Sequence, residues 1–251
     1  MIKSAILEEQ KAQLQKEELA ARILAQSRNE LYLKLRYLDL ALGNLALFPG
    51  TTSPAGTDGG VLYYFPDGLL SLYEQRGRAA CTRLYLHVIL HCLFCHPFDR
   101  KGRDGRLWSL ACDVTAEALI DSLCLKCVHI SSGAFRKSVY ARLREKLPVL
   151  TAEGIYQWIT EILTEAEVSR WEMEFRLDDH SLWQQDPKNN PKNPNPNRKK
   201  WDDIRERMET EVMLFSNEAS EGEGDLKEQL RVSNRSRYDY KEFLRKFTVL
   251  H

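Results

Sequence analysis

The hydrophobic pattern of the chain is mostly helical in period. From residue 3 to about 47 it predicts one long helix, broken near Gly43. Its first half pairs Glu with Lys and Arg at helical spacing (Glu8, Glu9, Lys11, Lys16, Glu17, Glu18), and its second half turns apolar through Leu31, Leu33, Leu35, Leu38, Leu40 and Leu42. Such a helix is expected to lie across a core. Phe48 to Gly60 (FPGTTSPAGTDGG) has the Gly/Pro/Thr content of a loop, and Val61 to Phe65 that of a short strand. Because this strand leads into a helix carrying H-x-x-x-H, its edge is a candidate for holding an extended peptide by main-chain hydrogen bonds.

Pro66 to Arg76 predicts a short helix and Ala79 to Cys95 a central one, stopped by Pro97. After the polar loop FDRKGRDGR another helix is expected from about Leu107 to Leu125. Thr151 is an N-cap for a helix from Ala152 to about Glu167, with Ile155, Trp158, Ile159, Ile162 and Leu163 as its core stripe. Asp186 to Lys200 (DPKNNPKNPNPNRKK) holds nothing that packs and is expected to be a mobile loop. A helix resumes from Trp201 to about Phe215, and 216 to 226 is expected to be flexible. The end, YDYKEFLRKFTVLH, stops inside an apolar pattern and predicts a chain cut from something longer.

Composition narrows the class. At 251 residues with 43% apolar and 10% aromatic content, the chain can bury a real core. Its 36 basic and 36 acidic residues cancel, so no global field draws it to nucleic acid or to an anionic membrane, and neither is expected as a partner. The mixed Glu/Lys N-terminus lacks the apolar core of a signal peptide, and no apolar run is long enough to span a bilayer. A cytoplasmic protein is expected, with its six cysteines as reduced thiols, mostly buried.

The chemistry centres on Leu84 to Asp113. His87 and His91 stand four residues apart, which stacks two imidazoles on one helix face in the spacing of a divalent metal site. Asp113, from the next helix, is the candidate third ligand, and Glu117 shares its face. Position 88, where a metalloprotease of the H-E-x-x-H type carries its base, is Val88. A substitute proton carrier is then needed: Glu117, or His180 in the cluster Asp178, Asp179, His180 beside Trp183. Glu117 reads equally well as an outer partner of a ligand histidine, and the Asp-Asp-His run as a solvated turn. His96 is assigned as a helix-end cation or a group backing a ligand. A rival four-thiolate site could use Cys92-x-x-Cys95 and Cys124-x-x-Cys127, although both pairs lie in apolar helical context rather than on tight turns.

The order GTDGGVLYYFP, YLHVILHCLFCHPF, LWSLACDVTAEALID, LTAEGIYQW, DDHSLW and YDYKEFLRKF resembles the metallopeptidase domain that precedes a von Willebrand factor A-like domain in bacterial proteins, often associated with MoxR-type AAA ATPases. The resemblance covers most of residues 28 to 247. It implies an α+β, predominantly helical, zincin-like architecture with a small sheet beside the H-x-x-x-H helix. It also places His87, His91 and Asp113 at metal-ligand positions, with zinc as the expected ion. Val88 departs from the many relatives that carry Glu there. The expected organisation is a charged helical half over 1–27, a metallopeptidase-like domain over 28–185, the loop 186–200, and a helical segment 201–251 leading towards a von Willebrand domain whose D-x-S-x-S motif these residues lack. Two functions follow: a zinc-dependent hydrolase of peptide bonds in which Glu117 or His180 replaces the usual base, or an inactive scaffold that docks an AAA ATPase or client protein.

Overall fold

A computed structural model describes residues 2–52, 54–131, 133–183, 196–215 and 224–235. Helix α1 (Ile2–Lys34) is exposed along its charged first half and becomes buried from Ala20 onward, where Ile23, Leu24 and Leu31 enter the main core. The helix expected to reach residue 47 ends at Lys34. Leu35 takes a non-helical conformation (φ −126°, ψ 65°), a 3₁₀ turn covers Arg36–Leu38, and the four-residue α2 follows at Asp39–Leu42. The reason is tertiary: Ala46–Pro49 forms strand β1 and supplies one side of the sheet, so strand pairing overrides the helical period.

Strands β2 (Ala55–Thr57) and β3 (Val61–Tyr64) complete a three-stranded sheet in the order β1-β3-β2, with β1 parallel and β2 antiparallel to β3. β3 is therefore the inner strand. Its main-chain groups are taken on both sides, which removes it as the substrate edge that its sequence invites. β2 falls inside the stretch expected to be a loop. Its outer edge carries a parallel bridge from Gly56 to Asp179, and the Asp179 amide donates to the Ala55 carbonyl at 2.9 Å. A Cβ at Gly56 would lie 2.4 Å from the Asp179 carbonyl oxygen, so glycine is required for the two backbones to approach.

Helix α3 (Pro66–Leu93) opens with Pro66 in its first turn and is interrupted at Gly77 (φ 74°, ψ −177°). This interruption separates the two predicted helices, and glycine tolerates the left-handed φ at no steric cost. Every residue from Ala80 to Leu93 is buried. The chain then turns through Cys95, a left-handed residue (φ 59°), into a 3₁₀ turn at His96–Phe98 that contains Pro97. Helix α4 (Gly105–Ser122) is capped by the Asp104 side chain, which accepts from the Leu107 amide at 2.9 Å. Helix α5 (Ala134–Arg144) follows. The expected helix 152–167 is two, α6 (Ala152–Ile162) and α7 (Glu165–Phe175), because Thr164 and Glu167 form a reciprocal capping box that starts a new helix. α6 and α7 pack on α4 around Leu110, Val114, Ile155, Trp158 and Trp171 in a second core cluster.

Helix α8 (Pro196–Phe215) begins five residues before the expected start, inside the stretch anticipated as loop. A further helix covers 224–235, so the flexible segment anticipated up to 226 is helical in its last residues. The calls on 186–195, on 216–223 and on the tail after Tyr238 lie outside the described residues. α8 and the 224–235 helix join the main core through Trp201, Ile204, Met208, Val212, Leu226 and Leu230. The Trp201 indole N–H donates to the Gly59 carbonyl at 2.7 Å and ties α8 to the β2–β3 turn. No helix among the described residues is long and apolar enough to cross a membrane.

Trp201 is fully buried. A Trp201→Ala substitution is expected to cost about 3–5 kcal/mol, read as a lower urea midpoint with an unchanged slope; an unchanged midpoint would show that α8 does not belong to the cooperative core.

Candidate metal centre

Three segments converge behind the turn at His96. The second half of α3 brings His87 and His91, α4 brings Asp113, and the extended stretch after α7 brings Asp178 and His180. One ligand atom from each of these five residues lies within 4.8 Å of all the others. His87 Nε2 is 2.8 Å from His91 Nε2 and 3.2 Å from Asp113 Oδ1, and His91 Nε2 is 3.3 Å from Asp113 Oδ1. Asp178 Oδ1 lies 3.4 Å from His87 Nε2 and 2.8 Å from His180 Nε2, which in turn is 3.3 Å from Asp113 Oδ1. Zinc bonds of 2.0–2.2 Å set donor atoms about 3.3 Å apart around a tetrahedral ion. The separations of 3.2–3.4 Å match that edge length, while His91 Nε2 and Asp178 Oδ1 stand 3.8 Å apart.

The outer nitrogens of the two α3 imidazoles are both engaged. His87 Nδ1 is 3.0 Å from Glu117 Oε1 and His91 Nδ1 is 2.8 Å from His96 Nδ1. A ring N–H on Nδ1 that donates outward leaves Nε2 as a lone pair facing the cluster, the tautomer a metal ligand requires. On the other side, Asp178 Oδ1 and Oδ2 and His180 Nε2 are buried atoms with no hydrogen-bond partner among the described residues. His180 Nε2 and Asp178 Oδ1 stand 2.8 Å apart without hydrogen-bond alignment. Buried polar atoms left unpaired in this way are costly, and a shared cation at their point of convergence satisfies them together. The donor set, imidazole and carboxylate, fits a first-row divalent ion.

Electrostatics of the protein alone agree with a site built around opposite charges. Burial opposes charge at His180, but the Asp178 and Asp113 carboxylates beside it push its pKa up to about 9. Burial is likewise overcome at His87 by Asp113, Asp178 and Glu117, which raise it well above the ordinary histidine value. Asp113 and Asp178 are desolvated, yet the His180 charge and their other imidazole contacts hold both carboxyls well below the usual range. His91 moves the other way, to about 4, through burial and the neighbouring His87 charge. Burial and His91 lower His96 well below the ordinary value. His96 is therefore not the helix-end cation the sequence offers. It is a neutral ring that backs His91, and its carbonyl accepts the Trp108 indole N–H at 3.1 Å.

Glu117 sits behind His87, away from the other ligand atoms. Arg83 donates to it through Nε at 2.9 Å and Nη2 at 2.7 Å, and Arg136 Nη1 pairs with the same carboxylate. Arg83 also reaches Asp121 at 2.7 Å and the Val128 carbonyl at 3.1 Å, and Arg136 reaches Glu174 at 2.9 Å. Burial raises the Glu117 pKa, but the His87 hydrogen bond and the two guanidinium charges hold it at about 2. Val88 is fully buried in the main core. The cysteines take no part: among the described residues no cysteine joins a group of three or more ligand side chains, and Cys124 is exposed while Cys92 and Cys95 are buried.

Arg83 and Arg136 are the site residues that sequence reasoning passed over, and Asp178, named there only as a flank of His180, was not assigned as a ligand. In an extended stretch, residues two apart share a side, so D-x-H at 178–180 could have placed Asp178 on the same side as His180. Arg83 stands four residues before His87 in a mostly apolar run, and a charge there needs a buried counter-charge.

A cleft of about 390 Å³ opens onto Asp113 and His180, with Trp108, Trp183, Pro97 and Leu110 in its walls. The Trp183 ring stacks on His180 at 3.5 Å between centroids, 18° from parallel. Glu117→Gln removes the charge that two buried guanidiniums share and is expected to destabilise the fold by about 3–5 kcal/mol. Chemical unfolding of the two proteins side by side measures it, and a loss below about 1 kcal/mol would mean the cluster is solvated.

Searches of the curated proteins and of the solved structures return no match. A family model described as "Putative metallopeptidase domain" matches residues 37–248, a stretch that contains all five converging side chains and both buried arginines. The chain thus belongs to that metallopeptidase-domain family.

Proposed function

We propose that the chain is a zinc-dependent hydrolase of peptide bonds, with His87, His91 and Asp113 holding the ion, a fourth position left to water, and His180, paired with Asp178, serving as the proton carrier. The observation that carries this reading is the convergence of five donor atoms, those of Asp178 and His180 otherwise unpaired, at the floor of an open cleft. A divalent ion bound there would polarise a substrate carbonyl and lower the pKa of a water towards neutrality. The protein's own groups do the remaining work. Glu117, locked by Arg83 and Arg136, orients the His87 ring; with its lone pairs occupied it does not exchange protons with a substrate. His180 is the imidazole of the cluster that lines the cleft, and its stacking on Trp183 fixes the plane in which Nε2 meets an incoming group. It takes the place of the base that Val88 cannot supply.

The second reading is a scaffold that keeps the ion without turning over substrate and docks an AAA ATPase or a client protein. It is favoured by Val88 and by the number of donors, since five protein ligands would leave zinc no open position. The two readings part at His180, which is a proton carrier in one and a fifth ligand in the other.

Purified protein prepared without chelators is expected to hold about one zinc per chain by elemental analysis, and His87→Ala, His91→Ala or Asp113→Asn to lose it. Metal-free wild-type protein would end both readings. In the hydrolase, His180→Ala keeps its metal while turnover of a peptide library falls roughly 10²–10⁴-fold. Loss of the metal in that variant, with an inert parent, selects the scaffold.

A further inference from the structure

We propose that the cleft in front of the metal centre recognises a substrate carboxylate, through the guanidinium groups of Arg100 and Arg176. The inference rests on the hydrolase reading for what happens next to the bound peptide, and on the cleft alone for its charge preference. Three arginines line the cleft with Asp113 and His180. One is already matched: Arg106 donates to Glu172 from Nε and Nη2, each at 2.7 Å, and pairs with Glu165 through Nη1. The other two are not. Arg100 spends its Nε on the Arg103 carbonyl at 2.9 Å and, among the described residues, neither of its terminal nitrogens meets an acceptor. The Arg176 guanidinium makes no hydrogen bond or ion pair among the described residues, although its backbone amide donates to the Glu172 carbonyl at 3.0 Å.

The acidic groups of the same cleft are committed elsewhere. Glu172 is held by Arg106, and Asp179 turns back to accept from the Ser181 amide at 2.8 Å. Asp113 belongs to the metal centre. Two cationic forks, Arg100 half-buried and Arg176 exposed, thus stand unmatched in a cleft whose walls also include Trp108, Trp183, Pro97 and Leu110. The guanidinium fork matches a carboxylate bidentately, a geometry that a neutral amide does not reproduce. Arg100 is also packed in place: a Cβ added at Gly105 would lie 3.1 Å from its Cζ, so a bare glycine at the start of α4 leaves room for the guanidinium. Because the whole chain carries no net charge, the preference belongs to the cleft and not to a general field.

The carboxylate can come from an acidic side chain or from a free peptide C-terminus, and three probes separate the sources. Acetyl-Gly-Glu-Gly-amide presents the first, acetyl-Gly-Gly-Gly with a free carboxylate the second, and acetyl-Gly-Gln-Gly-amide neither. Their binding to the full chain is measured by titration calorimetry before and after metal removal, with metal content determined in parallel. At least one carboxylate peptide is expected to bind roughly tenfold or more tightly than the Gln peptide, in stripped protein as well as in loaded protein. Arg100→Gln and Arg176→Gln are each expected to shrink that ratio, and the double variant to abolish it, with zinc content unchanged. Equal affinity for the three probes overturns the proposal, as does a preference that survives in the double variant. A preference that vanishes with the metal also overturns it, because the carboxylate was then binding the ion. Failure of the hydrolase reading shows separately, as absent metal or absent turnover in a protein that still prefers carboxylates.

Discussion

The interaction on which the site depends is the buried carboxylate of Glu117. Two guanidiniums, themselves removed from water, share it from one side, and the His87 ring donates to it from the other. Each of these charges would be prohibitive alone in the core, and each is tolerable because the others are there. The arrangement leaves the His87 ring a single orientation. Arg83 and His87 belong to α3, Glu117 and Asp113 to α4, and Arg136 to α5, so the ion pairs also fix the register of three helices. A ligand set assembled from separate elements needs that fixity, since an error of 1 Å exceeds the tolerance of a metal–nitrogen bond.

The same logic explains why the sheet matters. The segment bearing Asp178 and His180 is neither helix nor part of a hairpin, and nothing in its sequence would hold it in place. Its backbone is anchored to β2 at Gly56, where only a missing side chain allows the approach. β2 in turn is held by β3, and the β2–β3 turn by Trp201 of α8. The distance from α8 to Asp178 is thus bridged by one indole, one strand pair and one glycine.

The legible parts of the sequence were those governed by local pattern. Pro66, Gly77 and Pro97 punctuate α3 and its end, and the apolar stretch between them fixes the helix that stacks His87 over His91. Asp113 was legible because a carboxylate on an apolar helix face demands a partner. Pairings set by tertiary contact were not legible. β1 lies within a helical period, β2 within a Gly/Pro loop, and both exist because β3 offers hydrogen bonds on two sides. The two arginines escaped for a related reason: their partners are 30 or more residues away for Arg83 and 19 and 38 away for Arg136, beyond any periodic signal.

Val88 follows from the geometry of α3. The α3 helix is buried on every side from Ala80 to Leu93, so the residue after His87 must satisfy the main core, where Val88 packs among leucines. A glutamate at that position would bring another charge into a region that already holds Arg83, Glu117 and Asp113. With helix position 88 committed to packing, α3 places no carboxylate directly after His87. The strand-anchored segment 178–180 reaches both the imidazoles and the cleft, as Asp113 of α4 also does, and it does so with a histidine. The five-residue cluster therefore divides between two supports: His87, His91 and Asp113 are locked into α3 and α4 beside buried ion pairs, and Asp178 and His180 sit on an extended segment that one backbone bridge at Gly56 keeps in register.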